Sequence, residues 1–139
     1  GTIEIRVFDT PLTVERAAAL AGFVQSLAAW FMDEQPFMPA EDDYMVYTYN
    51  RFQACRFGLD GTVVHPKTYE SLSLREDILT TLRKMDPYAE RLGGTAALNH
   101  LMQVTHMGSD ATYLRDQFAS AGSVEGVVDA AVRRFKGRM

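Results

Sequence analysis

Residues 93–135 read GGTAALNHLMQVTHMGSDATYLRDQFASAGSVEGVVDAAVRRF, and the punctuation of this stretch decides the fold. Gly93-Gly94, Gly108 and Gly122 divide it into three runs, each opened by a hydroxyl residue: Thr95, Ser109 and Ser123. A Ser or Thr oxygen accepts from a free N–H of a first helical turn, and glycine readily takes the left-handed backbone beyond a helix end. The alternation therefore predicts three short helices ending near Met107, Ala121 and Phe135.

The same signals run upstream. Ser73, three residues before Glu76, is a capping box that predicts a helix to about Met85. Asp86-Pro87 is expected to start a separate short helix that stops at Gly93-Gly94. Thr13 caps a helix reaching about Met32, with Glu15 in its positive first turn. That helix carries so many apolar residues, from Ala17 to Phe31, that burial on most sides is expected. A further helix is expected from about Asp42 to Phe57, with Gly58 as its left-handed cap and Pro36 and Pro39 in the loop before it.

Between Leu59 and Leu72 the turn signals Asp60-Gly61 and His65-Pro66 bracket short extended pieces around Thr62–Val64 and Tyr69–Leu72, which predicts a small hairpin. Thr2–Phe8 alternates, with Ile3, Ile5 and Val7 on one face, and reads as a half-buried strand. The expected fold class is mainly α: a strand within residues 1–9, a short hairpin, and an otherwise helical 13–135, all in one unit spanning 1–139.

The bulk properties narrow the function. The chain has 139 residues, 47% apolar and 23% charged, and a formal net charge of −4. That balance argues against a general nucleic-acid binder, which needs a basic field. The basic cluster Arg133, Arg134, Lys136 and Arg138 reads as a solvated helix end. The stretch Ala17–Met32 is too short and too interrupted, by Gln25 and Ser26, to span a membrane. Cys55 is the single cysteine, so no internal disulfide can form, and a reducing, cytoplasmic setting is expected. A start on Gly1 rather than Met is what a fragment, a processed product or a truncated chain looks like.

Glu4 and Arg6 stand out among residues able to carry chemistry. Two-residue spacing on a strand puts both on one face, about 6–7 Å apart along the chain. A carboxylate there can help hold Mg²⁺, and a guanidinium can meet phosphate oxygens in bidentate fashion. Exposed Glu and Arg also alternate on many strands for no catalytic reason. The second candidate is the arginine-bearing segment Asn50–Gly61, in which Asn50, Arg51 and Arg56 could face a ligand; an ordinary amphipathic helix end explains it as well. His65, His100 and His106 have no metal-ligand spacing. Cys55, beside an apolar run, is expected to be a buried, inert thiol. Gly93-Gly94-Thr95 lacks the lysine and preceding strand of a phosphate-binding loop. The acidic runs Asp33-Glu34 and Glu41-Asp42-Asp43 read as a solvated loop and helix start.

Taken together, Gly1-Thr2-Ile3-Glu4-Ile5-Arg6-Val7-Phe8-Asp9 and Asn50-Arg51-Phe52-Gln53-Ala54-Cys55-Arg56-Phe57-Gly58-Leu59-Asp60 resemble two signatures of type 2 glutamate–cysteine ligases and their carboxylate–amine ligase relatives. Pro87–Gly93 is similar to that family's C-terminal region, and the likeness covers essentially the whole chain. The resemblance implies an α+β parent domain like that of glutamine synthetase, with a curved antiparallel sheet holding nucleotide and metal. It implies amino-acid substrates, with ATP phosphorylating a carboxylate and an amine attacking the acyl phosphate. Glu4 would then be a ligand of Mg²⁺ and Arg6 a catalytic, phosphate-contacting residue, with Asn50, Arg51 and Arg56 lining the ATP cleft. The other acidic ligands that such enzymes need have no counterpart here, so the chain alone is expected to be inactive. Its N-terminal strand would lack its sheet and could pair with another copy. The competing reading is a non-catalytic helical module that binds a protein partner.

Overall fold

The computed structural model describes residues 4–38 and 40–137. Its elements follow in chain order: α1 (Val14–Glu34), α2 (Asp43–Phe57), a 3-10 turn (Gly58–Asp60), β1 (Thr62–Val64), β2 (Ser71–Ser73), α3 (Leu74–Leu92), α4 (Thr95–Met107), α5 (Asp110–Ala121) and α6 (Val124–Phe135). Mainly helical with one antiparallel hairpin, it has the fold class expected. Four caps are the ones the sequence signals: Thr13, Ser73, Ser109 and Ser123 each accept, through the side chain, from the backbone N–H three residues on, whereas Thr95 makes no cap and is the first helical residue of α4 after Gly94.

Apolar burial organises the rest. Ala19 and Trp30 of α1, Leu82, Met85 and Ala89 of α3, and Leu98 and Leu101 of α4 form one core. At the α1–α4 crossing the backbones come so close that a Cβ built on Gly22 would sit 2.8 Å from that of Ala97. The hairpin pairs Val63 with Leu72 and packs under α2. Helices α5 and α6 pack on each other.

Four further expectations change. Pro87 does not open a new helix; it lies inside α3, which runs unbroken to Leu92. Met85 and Ala89, on either side of it, are fully buried, and their packing outweighs the loss of one hydrogen bond while the proline ring stays exposed. Helix α1 is buried on one side only, and Ala17 and Ala21 are exposed. Cys55 is exposed, because among the described residues nothing packs on that side of α2.

The fourth concerns the expected N-terminal strand. Residues 4–8 join no ladder among the described residues, while Thr2 and Ile3 lie outside them. Ile5 and Phe8 instead line a hollow of about 670 Å³ over Leu20, Val24 and Ala28 of α1, and Val7 stays in solvent. A lone strand has no partner for its backbone groups, and Ile5 and Phe8 touch the helix only from its rim, 42% and 45% exposed.

Candidate functional site

Glu4 and Arg6 meet as the spacing anticipates: Arg6 Nη2 donates to Glu4 Oε2 at 2.9 Å. Both side chains are open to water, 71% and 81% exposed respectively. An exposed pair of this kind contributes little to stability, so both groups are free to exchange partners. One carboxylate cannot make a metal site, however, and no cluster of three potential ligands exists among the described residues. These residues supply one acid and one guanidinium.

Asn50 is fully engaged. Its side-chain amide donates to the Val64 carbonyl at 2.8 Å, and its side-chain oxygen accepts from the Val64 N–H at 2.7 Å, which clamps β1 to α2. Arg51 joins it around a cavity of about 370 Å³, shared with Val63, His65, Leu72 and Asp77. Arg56 stands outside this cavity, in the last turn of α2, its guanidinium 5.8 Å from the centre of the Phe57 ring. The structure thus pairs Glu4 with Arg6 over α1, and Asn50 with Arg51 at the hairpin, in two separate places.

The acidic runs are clips. Asp33 accepts from Arg91 at 2.7 Å. Glu34 accepts from Trp30 Nε1 at 2.9 Å and from the Tyr88 hydroxyl. The Tyr88 bond, and then the Trp30 bond, hold the Glu34 carboxyl below its ordinary pKa. The same carboxylate pushes Tyr88 up to about 12. Asp43 is lowered by the Ala40 N–H and by Lys67. His65 Nδ1 accepts the N–H groups of Lys67 and Thr68, which fixes a turn.

One constellation escaped the sequence reading. Arg16, His100, Tyr113, Asp116 and Arg134 line a cleft of about 370 Å³ that draws on α1, α4, α5 and α6, and Asp110 ties its Arg16 and Arg134 walls together. Asp110 accepts from Arg16 Nη1 at 2.5 Å and from the Leu12 N–H at 3.1 Å, and lies 3.8 Å from Arg134. Arg134 in turn stacks on Tyr113 at 4.0 Å. Its members are scattered between residues 16 and 134, and only the placement of Asp110 directly after the cap Ser109 hinted at any of it.

The profile of glutamate-cysteine ligase family 2 (GCS2) matches residues 1–130, most of the chain. The chain belongs to this family. Proteins named "Putative glutamate--cysteine ligase 2-2" in Legionella pneumophila (strain Corby) and "Putative glutamate--cysteine ligase 2" in Polaromonas naphthalenivorans (strain CJ2) are similar to it. The first is 58% identical over 136 residues, 98% of this chain and 36% of its own length. The second is 55% identical over 139 residues, 99% of this chain and again 36% of its own length. A relative from Acidovorax sp. (strain JS42) is 56% identical over 138 residues. The GCS2 chain thus spans a little over a third of the length of these relatives. No helix among the described residues is long and apolar enough to cross a membrane.

Proposed function

We propose that this chain is the C-terminal portion of an ATP-dependent carboxylate–amine ligase of the glutamate–cysteine type, contributing one wall of the active site. The observation that carries the reading is the open Glu4–Arg6 couple in a chain of this family. In the assembled enzyme ATP, with Mg²⁺, would activate a substrate carboxylate for attack by an amine. Glu4 adds one carboxylate to a metal site completed elsewhere. Arg6 sets its guanidinium against anionic oxygens, and such stabilisation of developing charge is the largest single contribution in much of enzyme catalysis. Arg51 and Arg56 stand on α2, apart from that couple, as further cations for a cleft that the rest of the enzyme would complete, whereas Asn50 acts by holding α2 against β1.

The described residues lack the acids of a complete metal site, so the isolated chain is expected to form no product. The test is a pair of assays with ATP, Mg²⁺, glutamate and cysteine, one on this chain alone and one on the Legionella relative carrying it in place of the matched segment. Dipeptide and ADP from the graft, and none from the chain, are expected. Turnover by the chain alone contradicts the reading, as does a folded graft that is inert.

A further inference from the structure

We propose that the outer face of α2 is the seat on which the remainder of the ligase polypeptide packs. The inference rests on the reading of this chain as one portion of a ligase, and adds where the rest sits.

Helix α2 reads Asp-Tyr-Met-Val-Tyr-Thr-Tyr-Asn-Arg-Phe-Gln-Ala-Cys-Arg-Phe, with apolar and aromatic side chains all round its axis. Such a helix belongs in an interior, since a surface helix keeps one polar side. Yet none of its residues is buried. Its inner side meets the hairpin through Asn50, and Val46 and Gln53 are half-buried. At the three- and four-residue spacing of successive turns, its outer side presents Tyr44, Met45, Tyr49 and Phe52, which are 71%, 78%, 45% and 59% exposed. Cys55 and Arg56 continue the stripe. An apolar hollow of about 480 Å³, walled by Phe37, Tyr44, Val46, Tyr47 and Pro66, opens beside it. Monomeric proteins rarely leave so continuous an apolar face in water.

The occupant follows from length and from the site. Nearly two thirds of the Legionella relative lies outside the part this chain matches. Arg56 belongs to this face, so a nucleotide cleft that includes it needs its opposite wall to stand against α2.

Cys55, the single cysteine of the chain and exposed, is a built-in reporter. Iodoacetamide alkylation of Cys55, followed on its own peptide by mass spectrometry, is compared between the isolated chain and the graft in the Legionella relative. Alkylation at least twentyfold slower in the graft is expected; equal rates overturn the proposal. Protection that grows with the concentration of the isolated chain, together with a dimer mass, assigns the face to a second copy and also overturns it.

Should the graft not fold, this chain is co-expressed with the unmatched part of the relative as two polypeptides. Co-elution that is lost with Phe52→Asp but kept with Val128→Asp, an equally exposed apolar residue on α6, supports the proposal. No co-elution, or indifference to Phe52→Asp, sinks it. Neither readout uses catalysis: a graft that protects Cys55 without making product fails only the ligase reading, and an active graft with an open Cys55 fails only the docking.

Discussion

Asp110→Ala removes the one carboxylate on which the start of α1 and the α5–α6 pair converge. It costs the Leu12 N–H its acceptor, Arg16 its close partner and Arg134 its nearest acid. The Arg16 side chain is only 12% exposed and that of Asp110 21%, so the pair is neither deeply buried nor on the surface. Breaking a buried pair costs about 3–5 kcal/mol and an exposed one under about 1 kcal/mol. At this burial the expected loss is about 2–3 kcal/mol, including the favourable placement of an acid in the first turn of α5. For a chain of this size that lowers Tm by roughly 8–10 °C. Asp110→Asn keeps an acceptor for Leu12 and loses the charge, and is expected to cost about half as much. Urea unfolding of the three proteins gives the values directly. If both variants fall within about 0.5 kcal/mol of the parent, the convergence on Asp110 contributes nothing and the reasoning fails.

Four further outcomes follow from local geometry. The folded-state pKa of Glu34 is depressed, so its contacts with Tyr88 and Trp30 stabilise the fold above its ordinary value near 4.5 and are lost as pH falls through the lowered one. Fluorescence of Trp30, the single tryptophan, should report that acid transition, and Glu34→Gln should flatten it; an unchanged curve contradicts the assignment. Tyr88 is raised to about 12, so its share persists up to pH 10 and is lost only as pH climbs from there towards 12, which ultraviolet titration can follow. Asn50→Ala should cost about 1–2 kcal/mol by unpairing both Val64 groups, and amide exchange at Val64 should rise at least tenfold; unaltered exchange would leave Asn50 free for a ligand instead. Gly22→Ala sets a helix-propensity gain of about 1 kcal/mol against about 1–3 kcal/mol of overpacking on Ala97, so a net loss of up to about 2 kcal/mol is expected, relieved by Ala97→Gly.

The helical part of the fold was legible because its signals are local. Ser109 and Ser123 cap the helices they were expected to open, and Gly58 ends α2 at a φ of 59°, which suits glycine. Pro87 misled because a proline signals a start only when nothing behind it demands continuity, and here Met85 and Ala89 must reach the same core. The reading of Thr2–Phe8 rested on alternation, which cannot say whether a partner strand exists; in its described part Ile5 and Phe8, three residues apart, face α1 yet stay exposed. Cys55 misled for a related reason: an apolar neighbourhood in sequence states that a surface is to be covered, not that this chain covers it. The shared side of Glu4 and Arg6 was readable from spacing, though not their hydrogen bond, whereas the Asp110 cluster is made by tertiary packing and leaves almost no trace in sequence order.

The active-site role of the N-terminal couple is tested most directly by one kinetic comparison in the full-length graft: kcat for ATP-dependent joining of glutamate and cysteine, with Arg6 and with Arg6→Gln. Loss of a cation aimed at developing negative charge is worth about 10²–10³ in kcat, and a fall of that size with thermal stability unchanged is expected. Because the Arg6 side chain is 81% exposed in the isolated chain, the substitution has no structural reason to unfold the protein. A kcat within twofold of the parent would place Arg6 outside the reaction and remove the ground for assigning ligase chemistry to this couple.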